Sequence, residues 1–168
     1  YLSEPLRIAA ANHLGQLIDQ RLKFTRNQLL ELPDTADANA TIQKRWERNI
    51  IAMGDFNDEP FNRSVREELQ ASSGVDKLEE RVKSANKNTH LPDPVAYGKL
   101  EASLFNCMWP TTALPDRGSY FHGDSIPTMN MLDQFIVSRG LYFGESGLKM
   151  KRNTTTIPAE QPDADPTI

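Results

Sequence analysis

Cysteine is nearly absent from this sequence: Cys107 is the only one. A single thiol cannot close an internal disulfide, and it cannot build a cysteine-cluster metal centre. Basic residues are in deficit, 19 Lys and Arg against 23 Asp and Glu, for a formal charge of −4. A surface of that sign is a poor match for non-specific nucleic-acid binding, which depends on neutralising phosphates. No apolar run approaches the roughly 18–20 residues that a membrane-spanning helix needs. Internal repeats and low-complexity tracts are also missing. Collagen, coiled coil, membrane span and basic nucleic-acid tail are thereby excluded. What remains is 168 residues, 38% hydrophobic and 25% charged. That is about one domain, long enough to bury a substantial core. The chain starts at Tyr1 without a methionine and ends on a loop-like Gln161-Pro-Asp-Ala-Asp-Pro-Thr-Ile168. The expectation is a piece of a longer protein, in which case a missing targeting signal carries no information on location.

Ser3, Glu4 and Pro5 suit the opening of a helix, with Ser3 as cap and Pro5 in the first turn. Leu6, Ala10, Leu14, Leu17, Ile18 and Leu22 recur at helical spacing through about Lys23. Residues 31–41, rich in Pro, Asp, Ala, Asn and Thr, read as a loop. Asn49-Ile-Ile-Ala-Met-Gly54 is a short apolar run that predicts a strand buried on both faces. A short helix is expected over 62–69, and a polar excursion over 72–97 with one helical stretch near Val75 to Val82. Residues 100–109 fit a helix and a strand equally well. Residues 118–122 and 132–138 read as strands from their aromatic and β-branched content, with another at 141–150. The pattern is that of a mixed α/β sandwich.

Chemistry concentrates in Ile50-Ile-Ala-Met-Gly-Asp-Phe-Asn-Asp-Glu-Pro60. On an extended backbone, residues two apart share a face, which puts Asp55 and Asn57 together and Phe56 opposite. A strand that delivers a carboxylate and a carboxamide at its carboxyl end suits an α/β active site. The carboxylate can bind a hard divalent cation or take a proton, and the amide can hold a phosphoryl oxygen. Pro60 then breaks the strand. Arg63 and Arg66 follow on the expected helix, close enough to face a phosphate. Lys44, Arg45 and Arg48 read as a solvated helix face, Trp46 and Trp109 as core, and Cys107 as a buried thiol.

Gly54-Asp-Phe-Asn-Asp-Glu-Pro60, behind its apolar strand, resembles the signature strand end of the endonuclease/exonuclease/phosphatase superfamily. Gly118-Ser-Tyr-Phe-His-Gly123 and Met131-Leu-Asp-Gln-Phe-Ile-Val-Ser138 resemble, in order and distance, the family's late tyrosine strand and aspartate-bearing strand. The Ser3-Glu-Pro-Leu-Arg-Ile8 helix is similar to the one that follows the family's central histidine strand. Bacterial members of unassigned substrate are the nearest in appearance.

The resemblance implies part of a four-layer α/β/β/α sandwich with two mixed sheets. It implies a phosphoesterase that uses Mg²⁺ or Mn²⁺ to cleave a phosphodiester or phosphomonoester with activated water. Asp55 would activate the water and reach the metal with Asn57, whose amide would also hold the scissile phosphate. Asp133 would accept a hydrogen bond from a catalytic histidine, fixing its tautomer. Substrates compatible with this chemistry are a nucleic acid, a phospholipid headgroup or a small phosphodiester.

Several family features have no counterpart in the sequence. The early asparagine, the metal-binding glutamate and the late Asp-His pair are missing, and Asp163-Ala-Asp165 lacks the imidazole. His13, His90 and His122 read as structural. The domain is therefore expected to span 1–168 without its first strands and last strand, and to have little activity in isolation. The competing reading is a non-catalytic binding or scaffolding member of the same fold.

Overall fold

The structure, a computed structural model, describes residues 3–79, 82–114, 118–122, 128–145, 147–148 and 150. Helix α1 (Glu4–Leu22) begins behind Ser3, whose carbonyl accepts from the Leu6 and Arg7 amides while its hydroxyl makes no capping bond. Its buried face is Ala11, Ile18 and Leu22 rather than the whole expected stripe; Leu6 and Leu17 are exposed. Helix α2 (Arg26–Leu30) opens on a reciprocal Thr25–Gln28 capping box. Helix α3 (Ala36–Trp46) takes over much of the segment expected to be loop, because the Thr35 hydroxyl caps it through the Ala38 amide.

Strand β1 (Ile51–Asp55) leads to a π-helical turn (Ser64–Glu68), where a short helix was expected. Next come β2 (Ala71–Ser72), α4 (Val75–Leu78) and α5 (Pro94–Lys99). The polar excursion is thus not merely surface. Leu78 and Tyr97 are buried, and the Tyr97 hydroxyl accepts from the Phe24 amide at 2.9 Å. Strand β3 (Leu104–Asn106) settles the ambiguous 100–109 segment, and a 3₁₀ turn (Trp109–Ala113) follows it. Strands β4 (Tyr120–His122), β5 (Thr128–Asn130) and β6 (Asp133–Ser138) precede α6 (Arg139–Phe143). The strand expected at 141–150 is instead the end of α6, closed by Gly144 in the left-handed conformation at φ 80°.

The described residues form a mixed four-stranded sheet, ordered β1-β6-β3-β2, and an antiparallel β4-β5 pair. β6 is antiparallel to both β1 and β3, while β2 and β3 run parallel. Alternation along β6 sorts two cores. Ile136 joins Leu104 and the residues of α1, α2 and α3 on one face, while Phe135 and Val137 join Phe105, Cys107, Leu141 and Tyr142 on the other. Trp46 is in the first core and Cys107 in the second, as expected, whereas Trp109 is only half-buried.

The expectation that fails most clearly is the doubly buried β1. Ile51 is 52% and Met53 74% exposed, because among the described residues β1 is an edge strand and helices cover only its Ala52 face.

Candidate active site

β1 and β6 bring two of the three residues expected to be catalytic face to face. In their antiparallel register Asp55 lies opposite Asp133, Met53 opposite Phe135 and Ile51 opposite Val137. The Phe56 amide donates to the Leu132 carbonyl at 2.9 Å, so Phe56 and Leu132 are a hydrogen-bonded pair. Alternation then makes Asp55 and Asp133 a non-hydrogen-bonded pair, the kind in which opposing Cα atoms approach to about 4.5 Å. Both carboxylates are exposed, on the sheet face away from α1 and α3. Like charges so placed repel, and a bound cation relieves that repulsion.

Gly54 and Asn57 set the geometry of the strand end. Gly54 sits at φ 144°, a conformation that side chains other than hydrogen resist. Asn57 sits at φ 52°, in the left-handed region that asparagine tolerates better than most residues. The Asn57 amide donates to Asp55 Oδ1 at 2.8 Å. That bond orients the carboxylate and leaves Oδ2 for a further ligand. Asp55, Asn57 and Asp133 thus gather at one end of β1.

Arg63 and Arg66 are differently engaged. Arg63 reaches Glu68 at 3.1 Å and Glu67 at 3.8 Å, while Arg66 reaches Glu67 at 2.8 Å. These exposed ion pairs are weak enough to open for an anion. Arg63 also lines a pocket of about 240 Å³ with Glu4, Arg7, Asp58, Asn62 and Ser64.

Of the histidines, His13 is exposed on α1, and the His90 backbone amide donates to Asp34 at 2.6 Å. The Thr89 hydroxyl and then that amide hold the Asp34 carboxyl below its ordinary range, a clasp on a loop rather than a catalytic device. The His122 side chain, Asp163 and Asp165 lie outside the described residues.

Arg7, Asp58, Ser119 and Gln134 stand inside the four stretches that carry the resemblance, without a role assigned from sequence, and they prove central to this corner. Asp58 is buried, accepts from Asn62 Nδ2 at 2.6 Å and from the Ser64 hydroxyl, and forms an ion pair with Arg7 of α1 at 2.8 Å. Gln134 donates to the Asp58 carbonyl at 2.9 Å. The Ser119 hydroxyl accepts from the Leu132 and Asp133 amides at 3.0 and 2.8 Å, pinning the head of β6.

The donors available for a metal are hard oxygens from Asp55, Asn57 and Asp133. They suit an ion such as Mg²⁺ or Mn²⁺, which keeps several of its waters. Among the described residues no three His, Cys, Asp or Glu side chains cluster as a complete protein cage. No helix of the described residues is long and apolar enough to cross a membrane.

No curated protein and no solved structure matches the chain. The profile of the endonuclease/exonuclease/phosphatase family does match, over residues 2–161. With Asp55, Asn57 and Asp133 assembled at the strand ends that carry the resemblance, the chain belongs to the endonuclease/exonuclease/phosphatase family.

Proposed function

We propose that the protein is a metal-dependent phosphoesterase that hydrolyses a phosphodiester or phosphomonoester with activated water. Family members are generally hydrolases of phosphate esters and usually use divalent metals. The observation that carries the reading is the exposed Asp55–Asp133 pair in register, beside the left-handed Asn57 corner.

In this reading Asp55 Oδ1 stays on the Asn57 amide, and Asp55 Oδ2 would help hold a metal or take a proton from the attacking water. The Asn57 carboxamide holds a phosphoryl oxygen and adds an oxygen ligand. Asp133 accepts a proton-bearing partner at the head of β6. Arg63 and Arg66 exchange Glu67 and Glu68 for substrate phosphate. A bound Mg²⁺ or Mn²⁺ would neutralise charge on the phosphoryl and leaving oxygens. The full architecture in this reading is the four-layer sandwich, with the exposed Ile51 and Met53 face of β1 turned toward its second sheet. A nucleic acid, a phospholipid headgroup and a small phosphodiester remain the substrate classes.

The test is Mn²⁺-dependent hydrolysis of bis(p-nitrophenyl) phosphate and p-nitrophenyl phosphate. Asp55→Ala and Asn57→Gly are expected to lower the rate by about 10²-fold or more, the scale of a lost general base or charge-stabilising contact. A rate that neither change alters removes both residues from the mechanism.

One observation favours the binding-module reading: no third carboxylate or imidazole joins Asp55 and Asp133 among the described residues. Metal and phosphate binding without turnover, in this chain and in any longer form of the protein, would select it.

A further inference from the structure

We infer that Asp58 is a positioning residue that couples the two halves of the candidate site. Its carboxylate fixes the turn carrying Asp55 and Asn57 to α1, and its carbonyl fixes the same turn to the strand carrying Asp133. What the turn is for rests on the phosphoesterase reading; the latch is a matter of geometry.

The Asp58 carboxylate is almost completely buried, at 3% exposure. Two hydrogen bonds and an ion pair converge on it: Asn62 Nδ2 donates at 2.6 Å, the Ser64 hydroxyl donates, and the Arg7 guanidinium stands at 2.8 Å. An ionised carboxylate is acceptor-only, which suits two donors and a facing guanidinium charge. An asparagine in its place would turn an NH₂ group against donors. The charge therefore has a structural reason, and its burial strengthens each bond.

The backbone of the same residue faces the other half of the site. Gln134 Nε2 donates both to the Asp58 carbonyl at 2.9 Å and to the Met131 carbonyl at 2.6 Å. Gln134 Oε1 accepts from Asn106 Nδ2 at 2.9 Å, deep in the sheet. Gln134 and Asn106 are both buried. Gln134 follows Asp133 directly on β6, with its side chain on the opposite face of the sheet.

Asn57 thus lies between two anchored neighbours, tied on one side to Asp55 and joined on the other to Asp58. A shift of Asp58 displaces the Asn57 corner and loosens its tie to β6 in one movement. Neither Asp58 nor Gln134 needs to touch a substrate to do this. Outer contacts of this type typically govern metal affinity about 10–100-fold.

The experiment compares wild type with Asp58→Asn and Gln134→Met by amide hydrogen exchange and by Mn²⁺ titration, in the folded full chain. The expected result is that the Phe56 and Asn57 amides exchange about tenfold faster than any change at Val137 accounts for. The Mn²⁺ Kd is expected to rise about tenfold in both variants. If exchange at Phe56 and Asn57 rises no more than at Val137, Asp58 contributes ordinary stability and the proposal is overturned. If Asp58→Asn does not fold, Gln134→Met decides, since it strands no charge. Wild type that binds no Mn²⁺, with the exchange pattern as expected, ends the phosphoesterase reading and leaves the latch standing.

Discussion

Neutralising either member of the Asp55–Asp133 pair should stabilise the metal-free protein. Opposing Cβ atoms in such pairs lie about 4.5–5.5 Å apart, which puts the carboxylate centres at about 6 Å. Both groups are exposed, so the water limit of Coulomb's law applies, giving a repulsion of about 0.7 kcal/mol. Asp55→Asn and Asp133→Asn each remove that repulsion, and Asn at 55 retains the oxygen that accepts the Asn57 amide. Each single variant should therefore gain about 0.7 kcal/mol, or about 1.5–3 °C in Tm for a chain of this size. The double variant should gain no more than either single one, giving a coupling of about 0.7 kcal/mol in the mutant cycle. Urea unfolding at pH 7 in 10 mM salt measures it. In 1 M salt, where the Debye length is about 3 Å, the coupling should vanish. Saturating Mn²⁺ should reverse the order, since a ligand at 100 times its Kd adds about 2.7 kcal/mol to the one chain that retains both carboxylates. Single variants that lose stability equally at both salt concentrations would refute the argument, because the two charges would not then be facing each other.

Asn57→Gly should keep the stability of wild type while Asn57→Ala loses about 1 kcal/mol, the cost of a left-handed alanine, and both should lose hydrolysis; thermal melts beside a phosphodiester assay check this. Asp58→Asn should cost about 3 kcal/mol in urea unfolding, the lower end for a broken buried ion pair because Arg7 keeps some solvent contact. Burial pushes the Cys107 thiol up to about 11 from its ordinary 9.0, so the stability held in its neutral form is complete below pH 9 and is lost as the pH rises toward 11. Over that window the urea midpoint of wild type should fall faster than that of Cys107→Ala. Gly140→Ala should fail to fold or melt far below wild type by circular dichroism, since an added Cβ would stand 1.8 Å from the Glu47 carbonyl oxygen.

The site residues that stood out in the sequence did so because their order is local. Asp55 and Asn57 follow an apolar strand and precede a proline, which made their nearness legible but not their geometry: β1 ends at Asp55, and Asn57 turns to φ 52° instead of continuing the strand alternation. Asp133 heads a β-branched strand in the same way. Arg7, Asp58 and Gln134 lie inside the stretches that carry the resemblance, yet their partnership was illegible there, because it forms only when α1, the turn after β1, and β6 pack together; Gln134 and Asp58 are 76 positions apart. The burial of β1 was illegible for a related reason. An apolar run has the same composition in a central strand and an edge strand, and only its neighbours decide which faces are covered. Leu141, Tyr142 and Phe143 look like a strand by propensity, yet their packing against Phe105 and Cys107 and the left-handed Gly144 make them one helical turn. Residues 31–35 are irregular as their composition suggests, but 36–41 misled, because the Thr35 cap and the buried Ala38, Ile42 and Trp46 face make them the start of α3.

The two ends of β1 are built differently. At its start, the Ser138 hydroxyl accepts from the Ile50 amide at 2.9 Å and donates to the Arg48 carbonyl at 2.7 Å. There Gly140 also lies against the Glu47 backbone. Asp55 stands at the far end, about 13–16 Å away at the usual rise of a strand. Stability and chemistry are thereby assigned to separate stretches of one element. Substitutions around Asp55 and Asn57 can change what the corner accepts without disturbing the backbone contact that anchors the strand, whereas Gly140 and Ser138 have almost no such freedom. Change should therefore be tolerated least at the clamped end, where backbone meets backbone, and at the open corner new specificities can be explored only in the exposed residues around the fixed Asp55, Asn57 and Asp58.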